Sequence, residues 1–149
     1  MEACYSSNPW GRRIEKLGHT VRLIPPFIVK PFVIGNKNDA NDALAIAEAS
    51  MRPKVRFVSL KSTEQQDIQS LQRISERMIK IRTGDVNQLR GLLAEYGEIV
   101  GVGISTLMNA NPDILEDAQN ELTIIARSFM LRLYRNIQRV SVQIEEVKA

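Results

Sequence analysis

Lys37-Asn38-Asp39-Ala40-Asn41-Asp42-Ala43 places two carboxylates three residues apart, at the start of a stretch whose apolar residues follow helical spacing. Asn38 or Asp39 is the expected cap, and the helix runs through Ala43, Leu44, Ile46 and Ala47 to about Met51, where Arg52-Pro53 stops it. On a helix, positions i and i+3 share a face with Cβ atoms about 5–6 Å apart. Two oxygen ligands so placed suit a shared Mg²⁺, or a pair of Mg²⁺ ions, beside a phosphodiester. The plainer reading is a pair of helix-start acids favoured by the N-terminal dipole, and spacing alone leaves both open.

Upstream, residues 1–8 are short and polar. Pro9-Trp10 opens an expected helix to about Leu17, with Asn8 as cap and Gly18-His19 closing it. Thr20-Val21-Arg22-Leu23-Ile24 reads as a short strand that Pro25-Pro26 ends. Phe27 to Ile34 is apolar but interrupted by Lys30-Pro31, so a helical turn and loop is expected there. Downstream, Val55-Arg56-Phe57-Val58-Ser59-Leu60 alternates and is the clearest strand signal in the chain.

After Ser62 the pattern changes. Ile68, Leu71, Ile74, Met78, Ile81, Leu89, Leu92 and Tyr96 form one helical stripe, broken at Asp85 beside Gly84. A glycine-bearing loop is expected from Gly97 to Asn111. A second long helix is then expected from Pro112-Asp113 to about Val147, with Leu115, Ala118, Leu122, Ile125, Phe129, Leu133, Ile137, Val140, Ile144 and Val147 as a coiled-coil-like seam. The two helices are expected to pair as an antiparallel hairpin, to dimerise, or both. The domain reading is therefore 1–62 followed by a helical region, 63–149.

The 149 residues suit one domain, or a small domain with a helical extension, at 44% hydrophobic and 25% charged composition. A net charge of +3 permits an anionic partner without demanding one. Its distribution says more. Arg73, Arg77, Lys80, Arg82 and Arg90 face only Glu76 and Asp85 within their stretch, and Arg127, Arg132, Arg135 and Arg139 have no acid among them. Both runs suit phosphate, although a solvated face is the usual meaning of such a pattern. The aromatic fraction of 5% argues against an extended base-stacking platform. Single Cys4 fits a reducing cytoplasm, and no apolar run reaches the roughly 20 residues of a membrane span. His19 reads as a surface histidine, Cys4 as a small semi-buried residue and Trp10 as core packing.

Several segments in order carry a family resemblance: Pro25-Pro26-Phe27-Ile28-Val29-Lys30-Pro31-Phe32; Asn36 to Ala43; Arg56-Phe57-Val58 through Lys61-Ser62 to Glu64-Gln65-Gln66; and Asn87 to Gly97. Together they resemble the DEDD-type insertion-sequence transposases (family 110, with the Piv-like DNA invertases). Pro112-Asp113-Ile114-Leu115 and Asn120-Glu121-Leu122-Thr123 are similar to that family's helical linker. The resemblance implies a partial RuvC/RNase H-like α/β region over 1–62, followed by long α-helices, with the whole mostly helical.

It also implies divalent-metal chemistry, Mg²⁺ or Mn²⁺, on an Asp, a Glu and two further Asp residues, with a serine in a C-terminal domain. Glu2 matches the family's Glu, and Asp39 and Asp42 match its last two Asp residues, as catalytic and metal-binding positions. The first Asp and the serine domain have no counterpart between Met1 and Ala149. The expectation is therefore a piece truncated at both ends, with Glu2 on a fraying terminus, weak metal binding and no strand transfer by itself. DNA is the implied partner, with an RNA guide left open. Arg73, Arg77, Lys80, Arg127, Arg132, Arg135 and Arg139 are the nucleic-acid candidates, and a homo-oligomer through the helical region is expected. The rival reading is a non-catalytic helical module that binds nucleic acid or dimerises, modulating a full-length transposase.

Overall fold

A computed structural model describes residues 1–35 and 38–148, so Asn36 and Lys37 of the opening motif lie outside the described residues. The chain is mostly helical and divides into two compact units, Met1–Asp67 and Ile68–Ala149.

In the first unit, α1 (Ser7–Lys16) starts one turn from the chain terminus. Its expected cap, Asn8, is occupied elsewhere, since the Asn8 side-chain carbonyl accepts from the Lys61 backbone N–H at 3.0 Å. Arg12 donates to the Lys61 carbonyl at 2.6 Å, and Gly11 lies against the Leu60 side chain. One face of α1 is thereby fastened to the 60–61 segment. Gly18, at φ +88°, closes the helix through Gly18 N–H to the Glu15 carbonyl and His19 N–H to the Ile14 carbonyl. Trp10 is not core: it is 53% exposed, with the Arg13 guanidinium 5.2 Å from its ring centroid. Cys4 and His19 are both exposed.

The two expected strands are single bridges among the described residues. Leu23 pairs antiparallel with Val58, and Glu2 pairs parallel with Ile24. Pro25 and Pro26 follow Ile24 at once and have no N–H to extend a ladder. On the other side, the Cys4 N–H turns back onto the Glu2 carbonyl at 3.1 Å and ends that pairing too. Alternation in Val55–Leu60 therefore marks a segment with one paired position, with Phe57 and Val58 both exposed.

The helical turn expected at 27–34 is present as α2 (Pro26–Val29) and a 3₁₀ turn, Lys30–Phe32. These pack on α3 (Asp39–Ser50), whose N-cap is Asn38, its side chain accepting from the Asn41 N–H at 2.8 Å. Ala45 and Ala49, four residues apart and fully buried, let α3 sit close to Ile24 and Val29. Leu44, read as part of the apolar stripe, is exposed. Ser62 and Gln65 form a reciprocal capping box for α4 (Thr63–Glu95), each side chain taking the other's backbone N–H.

In the second unit, α4, α5 (Ile104–Glu116) and α6 (Ile124–Lys148) share one apolar cluster. It is built from Val86, Leu89 and Leu93 of α4, Leu107 of α5, and Ala126, Met130 and Ile137 of α6, with Val100 and Leu122 from the connections. Gly97, at φ +84°, ends α4 as Gly18 ends α1, with Glu98 N–H on the Leu93 carbonyl at 3.0 Å.

Three sequence expectations change here. First, the stripe's break at Gly84-Asp85 leaves α4 continuous, and the Asp85 carboxylate accepts a 2.6 Å bond from the Asn136 amide of α6. Second, the expected 97–111 loop ends at Gly103, and Pro112 lies inside α5 rather than opening a helix. A proline there frees the carbonyl four residues back. That carbonyl belongs to Met108, and the Tyr134 hydroxyl donates to it at 3.4 Å. Third, the single helix expected over 113–147 is two helices with a break at 117–123; the expected seam holds at Leu122, Ile137, Val140 and Ile144, all buried, and moves by one position at 125 and 129. Ala126 and Met130 are buried, while Ile125 is 77% exposed.

Candidate functional site

The chain terminus is anchored rather than frayed. The Met1 ammonium donates to the Arg22 carbonyl at 2.9 Å, Ile24 N–H to the Met1 carbonyl at 2.9 Å, and Ala3 N–H to the Ile24 carbonyl at 2.8 Å. These bonds hold Glu2, half-buried, beside fully buried Ile24. From the other side, α3 presents Asp42 on its first turn. Glu2 and Asp42 line one cleft of about 490 Å³ together with Pro26, Phe27, Val29, Lys30 and Val33. Asp39 stands exposed at the helix start and does not line it. The i, i+3 pair of the motif thus contributes one acid to the cleft, and the second comes from the chain terminus.

Among the described residues no group of three or more His, Cys, Asp or Glu side chains is placed to hold a metal ion. The donor set does not fit an all-protein two-metal cage. Two carboxylates at a cleft do fit the sparse protein share of a Mg²⁺ site, where phosphate and water complete the shell. Sequence reasoning missed Lys30, which puts an ammonium in the same cleft. Its signal was its place on the turn between Pro25 and Phe32, the only cation in that segment.

In the second unit the cationic candidates separate into distinct roles. Arg127 is half-buried and fully engaged. Its Nε donates to Leu122 O at 3.1 Å, Nη1 to Leu115 O at 2.6 Å and Ile114 O at 3.4 Å, and Nη2 to Asp117 O at 2.7 Å and the Asn120 side-chain oxygen at 2.5 Å. All five N–H donors of the guanidinium are used. Arg127 therefore clasps the α5–α6 break, whose carbonyls lack helical partners. No donor remains for phosphate.

Arg132, Arg135 and Arg139 are exposed on α6 and, with Asn136, line a concavity of about 250 Å³. Arg139 and Asn136 also line a groove of about 410 Å³ with Arg77, Ile74, Met78 and Ile81 of α4. Arg73 and Lys80 are exposed on α4 and line neither. Asn136 sets the geometry by donating to Asp85 while its oxygen accepts from Arg139 at 2.6 Å. The one ion pair among the described residues is Lys148–Glu145, at 3.0 Å, so none of these arginines is neutralised by an acid there.

A family model described as a transposase, of the DEDD type of IS110 elements, matches residues 3–98. The chain belongs to this transposase family. A probable family 20 transposase of Pseudomonas aeruginosa is 42% identical over 97% of this chain and 45% of its own length. The transposase for insertion sequence element IS1111A of Coxiella burnetii is 43% identical over 92% of this chain and 38% of its own. The transposase for insertion sequence element IS1328 of Yersinia enterocolitica is 34% identical over 99% and 43%, respectively. The chain thus spans less than half the length of these curated relatives. No solved structure matches it. No helix among the described residues is long and apolar enough to cross a membrane.

Proposed function

We propose that this transposase chain serves metal-dependent DNA cleavage and strand transfer as a part of that machinery, incomplete as a catalyst by itself. The observation that carries the reading is the meeting in one cleft of Glu2, beside the chain terminus, and Asp42, on the first turn of α3. In this reading Glu2 and Asp42 would hold Mg²⁺ or Mn²⁺ beside substrate phosphate, with Asp39, three residues before Asp42 on α3, adding a third negative charge near the site. A divalent ion there supplies charge neutralisation at the phosphodiester. The chain's own residues position the ion and the strand: the Met1–Arg22 and Ala3–Ile24 bonds hold Glu2 still, and the Asn38 cap sets the start of α3. The first unit is read as a partial RuvC-like domain, its Glu2–Ile24 and Leu23–Val58 bridges being what this chain holds of the sheet.

The second unit supplies binding. Arg77, Arg132, Arg135 and Arg139 contact DNA phosphate, with Arg73 and Lys80 reinforcing them on α4. The hydrogen bond that Asn136 of α6 donates to Asp85 of α4, together with the groove that Ile74 and Arg77 line with Val140 and Gln143, supports antiparallel pairing of the two long helices. Exposed Ile68 and Leu71 on α4 offer a seam to a second copy. The acid-free arginine groove favours the second reading as well, a non-catalytic DNA-binding module that modulates a longer transposase.

Calorimetric titration of Mg²⁺ and Mn²⁺ into the full chain, beside Asp42→Asn and Glu2→Gln, separates the two. Saturable binding lost in both variants supports the carboxylate reading. Identical heats in all three proteins refute it. Salt-sensitive DNA binding lost in the Arg132→Ala/Arg135→Ala double variant then leaves the module reading.

A further inference from the structure

Three aromatic rings in the first unit carry a guanidinium over the face. Arg13 lies over Trp10 at 5.2 Å, Arg22 over Phe57 at 5.2 Å and Arg52 over Phe32 at 5.1 Å. Two exposed rings there, Tyr5 and Phe27, have no guanidinium over them among the described residues, and of the two only Phe27, 75% exposed, lines the cleft. It lies three residues before Lys30, across the junction of α2 with the 3₁₀ turn, and both line the cleft that holds Glu2 and Asp42. Lys30 is exposed and has no ion pair among the described residues. An open ring and an unpaired ammonium side by side are the two elements of a single-strand site, the ring for a base face and the cation for a phosphate.

We propose that the α2–3₁₀ wall of this cleft grips single-stranded DNA, with a base stacked on Phe27 and a backbone phosphate on Lys30. The proposal rests on the carboxylate reading above and deepens it, by naming the strand form that the cleft takes. In a duplex both faces of a base are occupied by its neighbours, so Phe27 can stack only on an unstacked base. The cleft, about 490 Å³, is of the size that accepts a small-molecule-sized group, such as one nucleotide. Without a divalent ion, one ammonium faces two carboxylates, so phosphate is held against net repulsion and the ring carries more of the binding. Adding Mg²⁺ removes the repulsion and tightens the strand.

The test is fluorescence anisotropy of a labelled 12-nucleotide oligothymidylate and of a 12-base-pair duplex, each in EDTA and in Mg²⁺. The proteins are the full chain and its Phe27→Ala, Phe27→Tyr, Lys30→Gln and Asp42→Asn variants. Base–aromatic stacking corresponds to about a 5- to 150-fold loss of single-strand affinity in Phe27→Ala, with little change for the duplex. Phe27→Tyr keeps the ring and keeps the affinity. Lys30→Gln lowers the slope of log affinity against log salt by about 0.7. Single-strand affinity within twofold of the parent in both Phe27→Ala and Lys30→Gln overturns the proposal, as does an equal loss for single strand and duplex. If Asp42→Asn abolishes the Mg²⁺ effect while Phe27→Ala changes nothing, the wall fails and the carboxylate reading stands. If Phe27→Ala weakens binding in EDTA and Mg²⁺ has no effect on the parent, the wall stands and the metal reading fails.

Discussion

Replacing Arg127 by alanine tests whether the cationic run on α6 is one surface or two functions. The side chain makes five hydrogen bonds, and four of the acceptors are backbone carbonyls at the α5–α6 break. The bond to Asp117 is exposed and that to Ile114, at 3.4 Å, is long, so neither counts for much. Three bonds remain, to Leu115, Leu122 and Asn120. Leu115 and Asn120 are half-buried and regain water on mutation, while Leu122 is buried, so an average of about 1 kcal/mol per bond is expected. The expected loss is about 2–3 kcal/mol, and roughly half that for Arg127→Lys, which keeps the charge but not the fork. Urea unfolding followed by far-UV circular dichroism reads the helices, while Trp10 fluorescence reports on the first unit alone. The circular-dichroism midpoint should fall, the Trp10 transition should hold, and the salt slope of DNA binding below the transition should not change. A midpoint shift under about 0.5 kcal/mol, with a salt slope reduced by about 0.9, would refute the clasp and restore Arg127 to the phosphate surface.

Arg132→Ala/Arg135→Ala should do the reverse: an unfolding midpoint unchanged, and a duplex-binding salt slope lower by about 1.8. Asn38→Ala should cost about 1 kcal/mol in the first unit's unfolding, with Asn38→Asp nearly neutral, since either oxygen can take the Asn41 N–H. Gly11→Ala puts a Cβ against the Leu60 methyl groups, which can turn aside, while helix propensity inside α1 gains up to about 1 kcal/mol, so the same unit's stability, measured from Trp10 fluorescence, should change by less than about 1 kcal/mol. The Ser6 hydroxyl beside Cys4 lowers the thiol pKa from its ordinary value by favouring the thiolate. Cys4 alkylation should accordingly reach half-maximal rate at lower pH than in the unfolded chain, and Ser6→Ala should move that midpoint up.

Local chemistry was legible in the sequence wherever one residue type had one good use. Asn38 caps α3, Gly18 and Gly97 end helices in the left-handed region, and Lys30-Pro31 interrupts the apolar run as a turn. The mostly helical class and the transposase family also followed from periodicity and from the order of short motifs. Tertiary structure decided what pairs with what. Alternation in Val55–Leu60 cannot say whether a neighbouring strand is present, and only one bridge forms. A proline at 112 looks like a helix start until Tyr134, 22 residues later in the chain, satisfies the carbonyl that it frees. An arginine run looks uniform until the break at 117–123 offers carbonyls to one member and leaves the others to solvent. Above all, the spacing of Asp39 and Asp42 suggested a pair, whereas the cleft pairs Asp42 with Glu2. Helical spacing fixes which side chains share a face, but which partner meets that face is set by contacts between segments 40 residues apart, which no local pattern encodes.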